Sequence, residues 1–310
     1  MKIRILSDLH LDVNSSYPIQ LKDKKTFTIL CGDTSGDPEI TKKWIDDNIE
    51  SGVFVCGNHL VYNSRGKSIQ ELREEMAQGH GANDPVTYLD CMVENCPITK
   101  EIDGGKALIV GSAMYTNFTL PDRRYNKPED LTVMRNKRLS EMSMNDYRWG
   151  EVKNPDGTVR RLNASDLEEG FNEFFCRLRS VVEAKENQDR DIIVVTHYCP
   201  SPKCISESYL DSDINSSYVT DLEDFIKRHK NIKMWCCGHV HHQASFNVEQ
   251  CLIVMNPRGY VRRCEDRDFD SRLWVDTKDW KVRKHKKTKA EQTEYAKRSD
   301  EHLSLARYFI

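Results

Sequence analysis

The sequence predicts an α/β fold whose strands deliver their loops to a shared edge. Two observations carry that reading. Apolar runs at 2–6, 27–31, 53–56, 192–195 and 232–237 have the length and composition of buried strands. Each is followed within a residue or two by a short polar motif: Asp8-Leu9-His10, Gly32-Asp33, Gly57-Asn58-His59, Thr196-His197 and Gly238-His239-Val240-His241. Open α/β sheets bind ligands beyond the carboxyl ends of their strands. If the five runs share one sheet system, two Asp, one Asn and five His gather at that edge.

Taken in order, the elements alternate through the first 60 residues. Pro38 stands where a first-turn proline belongs, and Ile40, Trp44, Ile45 and Ile49 recur at helical spacing. Residues 64–78 form a second, more polar helix candidate, and 107–110 another strand. From 117 to 163 the pattern dissolves into Pro, Arg, Asn, Met and Asp, which predicts a functional insertion or cap, being long for a plain loop. Ser165 and Glu168 match a capping box ahead of an amphipathic helix built on Leu167, Phe171, Phe174, Leu178 and Val182. Thr220 and Glu223 repeat the box before Phe225 and Ile226, and strands return at 251–255 and 272–275. Residues 281–310 are basic at first and then helical in pattern, and read as a solvated extension of a domain spanning 1–280.

The 310 residues suffice for a full core, and a net charge of −3 gives no global support for nucleic-acid or membrane binding. Only the basic extension favours a nucleic-acid partner. With a strand starting at the second residue and no apolar stretch of spanning length, a cytoplasmic, non-membrane protein is expected. Its 11 cysteines then read as reduced thiols, several acting as small hydrophobes inside strands. Cys91/Cys96 and Cys199/Cys204 also match the loose end of zinc-ligand spacing.

Residues two apart on a strand face the same way, so Asp8 and His10 can reach one ion, as can His239 and His241. A carboxylate such as Asp33 can bridge two cations, and Asn58 offers a neutral oxygen. Two cations so held bind a bridging water, lower its pKa and stabilise the oxygens of an in-line displacement at phosphorus.

These ordered blocks resemble those of the calcineurin-like metallophosphoesterase superfamily, D-x-H, G-D, G-N-H, H and G-H-x-H, over about residues 2–260. The resemblance implies a four-layer αββα sandwich of two mixed β-sheets flanked by helices. It implies that Asp8, His10, Asp33 and His241 hold one metal, and that Asp33, Asn58, His197 and His239 hold a second. His59 would protonate the leaving oxygen or stabilise its charge. The metals would be Mn, Fe, Zn, Ni or Co, with Mn favoured. Two departures stand out: Gly36 replaces the second acid of G-D-x-x-D, and Leu60 replaces the acid that often follows G-N-H. His59 therefore needs another partner to orient it.

Met144-Asn145-Asp146-Tyr147, residues 196–201 and Asn256-Pro257-Arg258-Gly259-Tyr260 narrow the resemblance to a bacterial and phage branch of the superfamily. Arg258 is then a candidate phosphate clamp, and Asn145, Asp146 and Tyr147 candidate substrate contacts in the cap. The function expected is hydrolysis of a small phosphorylated substrate, a nucleotide-type or other phosphodiester. The alternatives are a phosphomonoesterase or protein Ser/Thr phosphatase, and then a metal-free scaffold. The natural substrate and the oligomeric state are not legible.

Overall fold

Apolar residues on alternate positions of two sets of strands lay two sheets face to face. A computed structural model describes residues 1–14, 21–62, 66–122 and 129–285. The strands are β1 (Lys2–Leu6), β2 (Thr26–Cys31), β3 (Gly52–Val55), β4 (Val86–Tyr88), β5 (Thr99–Ile102), β6 (Ala107–Gly111), β7 (Glu151–Lys153), β8 (Val159–Arg161), β9 (Asp191–Val195), β10 (Ile232–Cys237), β11 (Ala244–Val248), β12 (Cys251–Met255), β13 (Trp274–Asp276) and β14 (Lys281–Arg283). The helices are α1 (Pro38–Asn48), α2 (Ile69–Ala77), α3 (Glu129–Ser143), α4 (Asp146–Trp149), α5 (Ala164–Glu183) and α6 (Glu223–Arg228).

The first sheet has the order β14-β13-β1-β2-β3-β4 and the second β11-β12-β10-β9-β6-β5. Strands β1-β2-β3-β4 and β12-β10-β9-β6 run parallel; β13 and β14 extend one edge of the first sheet antiparallel, and β11 and β5 close the second on both edges. Ile3, Ile5, Ile29 and Val53 of the first sheet meet Ile109, Ile193, Val195 and Val254 of the second in one apolar layer. The opposite alternates, such as Leu6, Leu30, Phe54, Val194 and Trp235, join the buried faces of α1, α2, α5 and α6 in another. This is the four-layer αββα arrangement, and the two-sided burial explains why the parallel strands read as continuous apolar runs. Burying a side chain such as Phe174 or Leu178 of α5 contributes about 1.5–3 kcal/mol.

Local signals were displaced in three places. The box that starts α5 is Asn163 with Asp166, not Ser165 with Glu168: the Asn163 side-chain amide oxygen accepts from the Ser165 and Asp166 N–H groups, and the Asp166 carboxylate accepts from Asn163 N–H. Thr220 caps nothing; its hydroxyl bonds to Thr116 and Asn117, and α6 starts after Leu222 without a side-chain cap. The 117–163 segment is not patternless, since it holds α3, α4 and the β7-β8 hairpin. The buried stripe of α3 is polar, Thr132, Asn136 and Ser140, which hides it from a hydrophobic periodicity. Asn136 donates to the carbonyls of Phe118 and Leu120, and the Ser140 hydroxyl bonds to those of Tyr147 and Ser217.

The second helix starts at Ile69 behind a Ser68–Glu71 capping box. Of the basic extension, Lys281–Arg283 pairs with Trp274–Asp276 as an edge strand, and 286–310 lie outside the described residues. No described helix is long and apolar enough to cross a membrane.

Candidate active site

Parallel pairing puts the carboxyl ends of β1, β2 and β3 on one edge, and those of β9 and β10 on the matching edge of the second sheet. A seam joins the two edges. Ser7 bridges Pro257, and the N–H groups of Arg258 and Gly259 donate to the carbonyls of Ser7 and Asp8. Asn256 adds a bond from its side-chain amide to the Ile5 carbonyl.

The loops leaving these strands turn sharply. Asp8, His10, Asp33, His239 and His241 all have positive φ, between 46° and 69°. Non-glycine residues held there store of order 1–3 kcal/mol each, and such strain concentrates at functional sites. Gly57 is needed for a different reason: a Cβ there would fall on the Asp33 carboxylate.

The side chains converge. His241 Nε2 lies 3.4 Å from Asp8 Oδ1 and 2.9 Å from His10 Nε2. His197 Nε2 lies 3.3 Å from Asp33 Oδ2 and 3.1 Å from Asn58 Oδ1. His239 Nε2 is buried without a hydrogen-bond partner, while its backbone N–H donates to the Asp8 carboxylate. Asp8, His10 and His241 form one set whose ligand atoms lie within 4.8 Å of each other; Asp8, Asp33 and His197 form another, and His10, Asp33 and His59 a third. His59 is thus within the reach of a ligand as well as of a proton donor.

The electrostatics suit cations. Burial works to raise the Asp33 carboxyl, but the His197 and His59 charges hold it well below the usual range. Asp8 is likewise pulled down by His241 against its burial. Burial lowers His10 to about 3 and pushes His239 well below its ordinary value, leaving both rings neutral as metal ligands must be. His197 and His241 go the other way despite burial, to about 9 and about 10, because Asp33 and the Asp8–Glu265 pair favour their protons. Protons here stand where positive charge is wanted. Facing ring nitrogens, an orphaned imidazole nitrogen and two ionised carboxylates make a donor set compatible with divalent metal.

A second ring of residues orients the first. His197 Nδ1 donates to the Cys31 carbonyl at 2.8 Å, and His241 Nδ1 to Glu265 Oε2 at 2.6 Å. Asp146 Oδ2 accepts from Tyr62 Oη at 2.9 Å and from Asn58 Nδ2 at 3.3 Å. Its carboxyl is raised to about 6 by burial. Tyr260 Oη bonds to His59 Nε2 at 2.8 Å and supplies the partner that Leu60 does not.

Above the cluster lies a cavity of about 350 Å³, lined by Asp33, Asn58, His59, His239 and His241 together with Tyr62, Tyr209, Tyr218, Tyr260 and Arg263. The remaining predicted contacts lie elsewhere. Arg258 is buried with its guanidinium against the Leu9 carbonyl, and Tyr147 bonds to Ser140. The Asn145 carbonyl accepts from Arg148 and Trp149, and Asp146 sits behind Asn58. Tyr62, Tyr260, Arg263 and Glu265 join the site through the fold. Tyr260 lay inside the 256–260 motif and could have been found there; the other three have no local signal.

No protein-family model matches the chain, and no curated protein does. Among solved structures, phosphopantetheinyl hydrolase from Mycobacterium tuberculosis matches with a TM-score of 0.59 and 15% identity, over 93% of this chain and 96% of that one. The likeness is one of fold. A candidate 5'-nucleotidase from Staphylococcus aureus, solved with alpha-ketoglutarate, matches at a TM-score of 0.41 and 13% identity, over 96% of this chain and 58% of that one.

Proposed function

We propose that this protein is a binuclear-metal phosphoesterase that hydrolyses phosphodiesters of nucleotide type. The observation that carries the reading is the convergence of Asp8, His10, Asp33, Asn58, His197, His239 and His241 under one cavity, with His59 on its wall. Its fold likeness to a hydrolase of phosphopantetheinyl groups agrees with this.

Asp8, His10 and His241 would hold one cation, Asn58, His197 and His239 the other, and Asp33 both. When bound, such a pair supplies charge stabilisation at phosphorus and an activated water. The chain's own groups do the rest. Backbone N–H groups of His59 and His239 fix the Asp33 and Asp8 carboxylates. His59, held by Tyr260 and packed against a tilted Tyr62 ring with centroids 4.2 Å apart, faces the cavity to give its proton to the leaving oxygen. Arg263 is the cavity's one arginine or lysine among the described residues, and Glu265 lies beside it. One such cation balances the single charge of a diester better than a monoester's two or a polyphosphate's several. The tyrosines give flat faces for a base or another ring.

The test is hydrolysis of bis-p-nitrophenyl phosphate and p-nitrophenyl phosphate by Mn²⁺-loaded protein. Turnover of the diester above the monoester is expected. A preference for the monoester would favour the phosphomonoesterase reading, and failure on both would overturn the assignment.

A further inference from the structure

Outside the histidine–carboxylate centre, the described residues bring three thiols together. Cys199 lies in the loop leaving β9, two residues beyond His197. Cys204 closes the short turn Pro202–Cys204, and Cys237 ends β10 directly before Gly238-His239. All three are fully buried, and their sulfurs lie within 4.8 Å of one another. A fourth sulfur adjoins them: Met255 Sδ is 3.7 Å from Cys199 Sγ, and Met255 is the strand partner of Cys237. The sequence spacing suggested the Cys199/Cys204 pair; only the fold supplies the third thiol and the thioether. Cys91 and Cys96 join no such group among the described residues.

We infer that Cys199, Cys204 and Cys237, with Met255 alongside, form a separate structural site for a thiophilic d10 cation, zinc in the first instance. Thiolate and thioether donors select Zn(II), Cu(I) and iron–sulfur clusters over the hard cations that the His/Asp set would take. Charge decides between the two d10 ions. Three thiolates leave one net negative charge with Zn(II) and two with Cu(I), and an uncompensated charge in a dry interior is expensive. Each thiol releases its proton to solvent as its sulfur binds, so three protons leave for each ion bound. The ion ties the loop after β9 to the end of β10, the two segments that carry His197 and His239. It would act as a clip beneath the active centre rather than as a participant in its chemistry.

Zinc-edge X-ray absorption on protein purified reduced, in zinc, tests this. Asp33→Ala removes the carboxylate that the proposed function assigns to both cations and so isolates the sulfur site. About one equivalent of zinc with sulfur neighbours at about 2.3 Å is expected there, and a mixed sulfur and nitrogen/oxygen shell in the unaltered chain. Cys204→Ser in the Asp33→Ala background should lose that equivalent, whereas Cys176→Ser, at an exposed thiol, should keep it. A shell of nitrogen and oxygen alone in the unaltered chain overturns the inference whether or not the variants fold. So does a Cys199–Cys204 disulfide found by mass spectrometry in the zinc-treated, reduced protein.

Discussion

Asn58 works at both ends of its amide. Its oxygen faces His197 at 3.1 Å, while its nitrogen donates to Asp146 at 3.3 Å and to Tyr62 Oη at 3.2 Å. An amide free to flip would present its NH2 to a cation half the time, so Asp146 acts by fixing which end points inward. Asp146→Ala should weaken Mn²⁺ binding by roughly 10–100-fold, read by titration calorimetry, with the folded near-UV signature retained. If affinity is unchanged, Asp146 has no hand in the site. Tyr260→Phe keeps the ring stacked on His10 and removes only the hydroxyl at His59. Losing one such hydrogen bond should slow diesters with alkoxide leaving groups by about tenfold, and nitrophenyl esters far less, because only the former need the proton. Equal slowing of both would move His59 from acid to ligand. The eight motif residues were legible because D-x-H and G-H-x-H put ligand chemistry at strand ends. Asp146 was legible as a cap residue but not as the partner of Asn58, 88 positions away, and Tyr62, Glu265 and Arg263 were not legible at all, since they meet the site only through contacts across the fold.

Strands showed more clearly than caps or insertions. The runs at 2–6 and 232–237 coincide with β1 and β10, because strands covered on both faces are apolar at most positions, Lys2, Arg4 and Lys233 being the exceptions here. Short edge strands such as β5 (burial on one residue of four) and β11 carry no such run and were missed. Helix α3 escaped for the opposite reason: its inward stripe is hydrogen-bonded rather than apolar. The start of α5 separates two readings that local sequence alone could not. Asn163→Ala should destabilise the protein by about 1 kcal/mol in urea unfolding, and Ser165→Ala by a few tenths at most. The reverse order would return the cap to Ser165.

The whole molecule divides its candidate ligands between two sheets. Asp8, His10, Asp33 and Asn58 follow β1, β2 and β3 of one; His197, His239 and His241 follow β9 and β10 of the other. Without a cation, the edges are held by the seam of Ser7 against 256–259 and by the bonds of His197 to the Cys31 carbonyl and of His239 and His241 to Asp8. Five residues there sit at positive φ, and buried imidazoles face carboxylates, so the apo edge is strained and charged. Cations that bind only the assembled edge stabilise the fold by about 2.7 kcal/mol per site at a hundredfold excess over Kd. For a domain of this size that should raise Tm by roughly 5 °C. Mn²⁺ is the probe to use, because a hard ion leaves the sulfur cluster alone. Asp33→Ala should abolish the Mn²⁺ shift, since it removes the one carboxylate assigned to both cations. His59→Ala should keep the shift while losing turnover of alkoxide diesters. If chelation and Mn²⁺ leave Tm where it was, the two sheets do not need a cation between them; if His59→Ala also abolishes the shift, His59 belongs to the ligand set.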